Sequence, residues 1–151
     1  MPAIVTSAAV EDAVRSALLA EGWVVSTPRR HGEAGADIEA VREGKRLCVE
    51  AIAFKSSGPA RAKDFYEAFF RAASRVGPST TRVAIALPAR FAVGLPQRVH
   101  ALGHAWRRIG EAFPELEIWL VETVATRIRQ TSWNEWAHKE PSTWPSTASI
   151  T

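Results

Sequence analysis

Cysteine is nearly absent from this chain of 151 residues: Cys48 stands alone, so no internal disulfide can form and no thiol cluster exists to hold a structural zinc. Long apolar runs are missing as well. Nothing approaches the roughly 18 consecutive residues that a membrane span requires. Met1 to Val10 contains no Lys or Arg and runs into Glu11 and Asp12, unlike the cationic start of a secretory signal, so a cytoplasmic location is expected. There is no Gly-rich phosphate loop and no Gly-x-Ser-x-Gly elbow, which removes support for phosphoryl transfer from ATP and for serine hydrolase chemistry. His100 and His104 stand four apart, but Ala101 occupies the place where a zinc protease needs Glu, so both read as ordinary helix residues. No internal repeat is visible, and the excess of one charge is small. Lys and Arg number 19 against 16 Asp and Glu, and the resulting +3 permits a polyanionic partner without requiring one.

What is present fits one globular domain: 46% of the residues are hydrophobic and 23% charged. Between Ser7 and Glu21, Val10, Ala13, Val14, Ala17 and Leu18 recur at three- and four-residue steps, with Thr6 or Ser7 as cap and Gly22 as stop, which predicts an amphipathic helix. Trp23 to Ser26 favours a strand. After a basic loop of Arg29, Arg30 and His31, two more strands fit Ala36 to Arg42 and Arg46 to Phe54, joined by a hairpin at Glu43-Gly44. A second helix follows Gly58-Pro59 on the apolar residues Ala62, Phe65, Tyr66, Phe69, Ala73 and Val76. Thr81 to Leu87 reads as a buried strand, Val99 to Phe113 as a third helix, and Leu116 to Val121 as another buried strand. The expected class is therefore α/β with a mixed sheet flanked by helices, in the order αβββαβαβ over residues 1–125. Residues 126–151 form a Trp-containing extension, in which Thr126 to His138 reads as a helix carrying Trp133 and Trp136.

Asp37 lies on the second strand and Glu50 on the third, so pairing of the hairpin can bring two carboxylates together. Two such acids suit a hard divalent cation, because magnesium takes one or two protein carboxylates and keeps waters for the remaining positions. Glu39 shares the strand parity of Asp37, and Glu11 on the first helix is a further acidic contributor.

Gly35-Ala36-Asp37-Ile38 on one hairpin strand and Val49-Glu50-Ala51-Ile52 on the next, set within a helix-strand-strand-strand-helix-strand order, resemble the PD-(D/E)XK or restriction-endonuclease-like nuclease superfamily. The resemblance covers about residues 7 to 122. It implies a restriction-endonuclease-like fold, magnesium- or manganese-dependent hydrolysis of DNA phosphodiesters, Asp37 as the metal-binding Asp and Glu50 as the acid of the second motif. Ala36 stands where Pro is often found. Ile52 stands where the family has Lys, whose ammonium would orient the attacking water and stabilise charge developing on the phosphate. Lys55, roughly 10 Å further along an extended chain, can substitute only if the strand folds back at Phe54-Lys55, and Lys63 or Arg61 at the start of the second helix offers another donor. Arg29, Arg30, Arg61 and Lys63 flank the acids and can contact a DNA backbone.

The chain contains six tryptophans. Trp133, Trp136 and Trp144 lie near Arg127, Arg129 and Lys139, a combination that can stack bases, wrap the domain or form a homodimer contact. Cys48 shares parity with Glu50 and has no cationic activator, so it reads as a small buried hydrophobe. Two other functions stay open beside the nuclease. One is an inactive nuclease-fold module for DNA binding or protein interaction, and the other is an unrelated α/β binding domain whose acids are structural.

Overall fold

The computed structural model describes residues 3–29 and 34–138, so Arg30, His31, Lys139, Trp144 and Ile150 lie outside the described residues. The described chain is mixed α/β with a six-stranded sheet and five helices. A short strand β1 (Ala3–Val5) leads into helix α1 (Ser7–Ala20), and β2 (Val24–Val25), β3 (Ile38–Arg42) and β4 (Lys45–Ala51) follow. Strand β5 (Phe54–Lys55) precedes α2 (Gly58–Arg75), and β6 (Arg82–Pro88) runs through a 3-10 turn into α3 (Leu95–Leu102) and α4 (His104–Ala112). The described chain closes with β7 (Leu116–Glu122), β8 (Arg127–Ser132) and α5 (Trp133–His138). None of its helices is long and apolar enough to cross a membrane.

The sheet order is β2-β3-β4-β6-β7-β8, with β1 and β5 paired separately. The pairs β2–β3, β3–β4 and β7–β8 are antiparallel, whereas β4–β6 and β6–β7 are parallel. Both parallel crossovers step in the same direction along the sheet. Right-handed connections then put their helices on one face, and α2 and α4 do share one apolar cluster, which includes Phe65, Ile85, Trp106 and Trp133. Helix α1 covers the opposite face through Val10, Ala13, Val14 and Leu18, against Ile38, Val49 and Trp119. Thr6 caps α1 by accepting from the Ala9 backbone N–H at 3.1 Å.

Several elements depart from the sequence reading. The expected helix from Val99 to Phe113 is two helices, because Gly103 takes φ 52° and ψ −119°, a conformation that needs glycine and cannot continue a helix. The expected helix from Thr126 to His138 is a strand followed by one short helix. Its first half pairs residue by residue with β7, whose backbone groups would otherwise lack partners. The expected strand Arg46 to Phe54 ends at Ala51, and Phe54–Lys55 pairs instead with β1, an element the periodicity did not reveal. The expected strand Ala36 to Arg42 begins at Ile38, leaving Asp37 just before it.

Trp133 and Trp136 are core residues of the same sheet face as α2. The Trp106 and Trp133 rings stack with centroids 3.8 Å apart, and each indole N–H donates to the other residue's carbonyl, at 3.0 and 2.8 Å. Such pairs add about 0.5–1.5 kcal/mol beyond the area they bury. The Trp136 indole donates to the Thr131 hydroxyl, which donates to the Ile118 carbonyl, so α5, β8 and β7 are tied by one buried chain of hydrogen bonds.

Candidate functional site

The register of the β3–β4 hairpin, with Ile38 opposite Val49, sets Asp37 across from Glu50 when continued by one residue. The two carboxyls then meet on the sheet face that α2 covers. Asp37 is oriented by its neighbour strand, since its Oδ2 accepts from the Ala51 backbone N–H at 2.9 Å. Its backbone is held from the other side by Arg15 of α1, which donates to the carbonyls of Ser26 and Asp37.

Glu50 is fully buried. Arg75 on α2 donates to its Oε1 at 3.2 Å, while the Arg71 guanidinium stands 3.9 Å from Oε2, too far for a hydrogen bond. Oε2 has no hydrogen-bond donor among the described residues. The Asp37 carboxyl lies close enough to that of Glu50 for the two to interact, but two ionised carboxylates only accept, so the pairing calls for a proton or a cation between them. Burial first, and the Asp37 charge second, push the Glu50 carboxyl up to about 7 against the opposing pull of Arg75.

Asp37, Arg71 and Arg75 line an open cleft of about 590 Å³ with Ser7, Glu11 and Ala51 among others, and Glu50 lies buried behind them. Glu11 reaches it from α1, and its pKa is raised by partial burial and then by the Asp37 charge. The floor of the cleft depends on Gly35, which has φ +122°. A Cβ there would sit 2.4 Å from the Arg29 guanidinium. Arg29 donates to the Ala36 carbonyl at 2.7 Å and pairs with Glu39 at 2.9 Å, so it braces the loop that delivers Asp37.

The structure thus brings together Asp37, Glu50 and Glu11. It turns Glu39 away, onto Arg29 and Arg46. Neither Lys55 nor Lys63 lines the cleft: Lys55 pairs with Asp64 at 2.9 Å and Lys63 with Glu67 at 3.8 Å. Arg61 stacks 4.6 Å from the Phe54 ring centre and donates to the Lys55 carbonyl, beside a different cleft. Ile52 is buried in the apolar cluster beneath α2. Cys48 is also buried, and burial pushes its thiol up, away from the thiolate a nucleophile needs.

The cations that do reach the acids, Arg71 and Arg75, were not among the sequence candidates. A signal existed, because the stripe Phe65, Ala68, Ala72 on the buried face of α2 continues at the same spacing to Arg75. An arginine at the end of an apolar stripe points its head beneath the helix, and the nearest buried acid is its natural partner.

Among the described residues no group of three or more His, Cys, Asp or Glu side chains is placed to hold a metal ion. The acids here are Asp37 and Glu50, whose carboxyls interact, with Glu11 near enough to feel the Asp37 charge. Comparison with protein-family models, curated proteins and solved structures returned no match.

Proposed function

We propose that this chain is a PD-(D/E)XK nuclease-like protein that hydrolyses DNA phosphodiester bonds with magnesium or manganese. The reading is carried by one observation: buried Glu50, with a donorless Oε2, is paired with the Asp37 carboxyl, which lines an open cleft. A buried carboxylate beside a second like charge is costly, and a divalent cation relieves it where an open cleft lets one enter. The succession α1, β2 to β4, α2, β6 supports the same reading.

Asp37 and Glu50 would hold the cation, with Glu11 beside them. Magnesium bound there supplies positive charge to a phosphate oxygen and makes a coordinated water more acidic. The chain's own residues do the rest. The Ala51 N–H keeps Asp37 turned toward Glu50, and Arg75 fixes the other Glu50 oxygen. Arg71, nearly half exposed on the cleft wall, offers the guanidinium that meets a phosphodiester and its developing charge, in the place of Lys55 or Lys63.

A second reading is favoured by Ile52. An apolar side chain buried where an active nuclease carries its lysine fits a nuclease fold retained as a DNA-binding or protein-interaction module.

The test incubates the full chain with supercoiled, linear and single-stranded DNA, with and without magnesium or manganese, beside Asp37→Ala. Metal-dependent nicking that the substitution abolishes is expected. DNA that binds but stays intact at every metal concentration establishes a DNA-binding module, and an absence of both binding and cutting overturns the nuclease and the DNA-binding module alike.

A further inference from the structure

A second cleft, of about 440 Å³, lies between α2, the turn after β6 and α3. Three arginines line it: Arg61 from the first turns of α2, Arg90 from the 3-10 turn, and Arg98 from α3. None of the three is in an ion pair among the described residues, and no Asp or Glu lines the cleft. This sets them apart from Arg29, Arg46, Arg75, Arg82 and Arg127, each of which meets a carboxylate.

Aromatic rings hold the three heads in place. The Arg61 and Arg90 guanidiniums lie 4.6 and 5.0 Å from the same Phe54 ring centre, and Arg98 lies 5.5 Å from Phe65 and 5.8 Å from Tyr66. A guanidinium stacked on a ring keeps its edge N–H donors free for an anion. Arg61 is further pinned by its bond to the Lys55 carbonyl at 2.8 Å. The first turn of α3 opens on the same cleft at Gly94, whose cap position supplies no side-chain acceptor, so its N–H dipoles add to the positive field. Three like charges so placed repel one another, and among the described residues no carboxylate lines the cleft to neutralise them.

A phosphate answers this geometry, because its oxygens accept from several guanidinium edges at once. Beside it, Tyr66 lines the cleft and Phe70 follows one helical turn along α2, with 37% and 70% of their surfaces exposed. Exposed rings next to a phosphate site are the arrangement on which nucleobases stack. We propose that the Arg61, Arg90 and Arg98 cleft binds the phosphate group of a nucleotide, either free or at a position along a nucleic-acid strand. The proposal does not depend on the carboxylate cleft or on any cleavage activity.

The experiment measures binding by the full chain, in EDTA, of inorganic phosphate, deoxyadenosine monophosphate, and a 5′-phosphorylated single-stranded oligonucleotide with its unphosphorylated twin. Arg90→Gln and Arg98→Gln are compared with Lys45→Gln, at the exposed β3–β4 turn, as a surface-charge control. Arg90 is exposed and Arg98 half-buried, so both variants are expected to fold, which circular dichroism checks. Each arginine variant is expected to weaken binding at least fivefold, with the control within twofold of wild type. Mononucleotide binding equal to that of the oligonucleotide identifies a free nucleotide as the ligand. Binding confined to the oligonucleotides identifies a strand. No binding by any probe at millimolar concentration, or equal losses for Lys45→Gln and the arginine variants, overturns the proposal.

Discussion

Replacing Glu50 by Gln should stabilise this protein, although it removes a charged residue that an arginine contacts. The Glu50 carboxyl ionises near 4.5 in an unfolded chain and near about 7 in the fold, a gap worth about 3 kcal/mol. The folded-state value is raised, so between these two pH values the native state holds a proton that the unfolded state has released. Stability from this group is therefore greatest at the acidic end. It falls as the pH rises through the window and is fully forfeited above pH 7. Glutamine imitates the protonated acid at every pH, and the side chain is almost wholly shielded from solvent. The loss of attraction to Arg75 is already contained in the net shift.

Urea unfolding of the wild type and Glu50→Gln in EDTA measures the effect. The two should lie within about 1 kcal/mol at pH 5, and at pH 8 the variant should be more stable by up to about 3 kcal/mol. For a domain of this size that is roughly 6–12 °C in melting temperature. Taking the difference between the two proteins cancels the titration of every group they share, Glu11 included. Added magnesium should raise the stability of the wild type at pH 8 and leave the variant unmoved, since a cation that binds only the native state stabilises by mass action. A variant no more stable than wild type at pH 8 would refute the reasoning, because Glu50 would then be neither strained by burial nor opposed by Asp37.

Three further substitutions probe the scaffold. Trp133→Ala should cost about 3–5 kcal/mol in urea unfolding, since it empties a buried site stacked on Trp106 and strips the Trp106 carbonyl of its donor; a loss below about 1.5 kcal/mol would show that the stack carries little weight. Ile52→Lys restores the charge of the nuclease motif but places it in the apolar cluster under α2, so it should destabilise by about 3 kcal/mol or more and add no metal-dependent cutting. A variant as stable as wild type would mean that the ammonium escapes toward Glu50. Gly35→Ala should lose more than about 1 kcal/mol, because φ is positive and the Arg29 head occupies the space a Cβ needs; Gly77→Ala, where nothing lies within 4 Å, serves as the near-neutral comparison.

Apart from the helix break at Gly103, a local backbone effect, the departures from the sequence reading share one cause. Local periodicity reports which face of an element is apolar, and it located α1 and α2 and the buried strands β6 and β7 because each has a face or a whole segment that must leave water. The segment from Arg127 to Ser132 has only Thr131 fully buried, so its strand character comes from the open edge of β7. The same limit hid Arg71 and Arg75. Their spacing put them near the buried stripe of α2, but only the crossover from β4 to β6 lays that end of the helix over Glu50.

Asp37 and Glu50 could be paired from the sequence alone, because the two-residue turn at Glu43-Gly44 sets the hairpin register and register decides which residues face each other. The burial of one member of that pair, the orphaned oxygen beside it and the arginines around it belong to the packed molecule. Desolvation and unpaired charge arise only when segments distant along the chain close over a group, and no run of neighbouring residues specifies that closure.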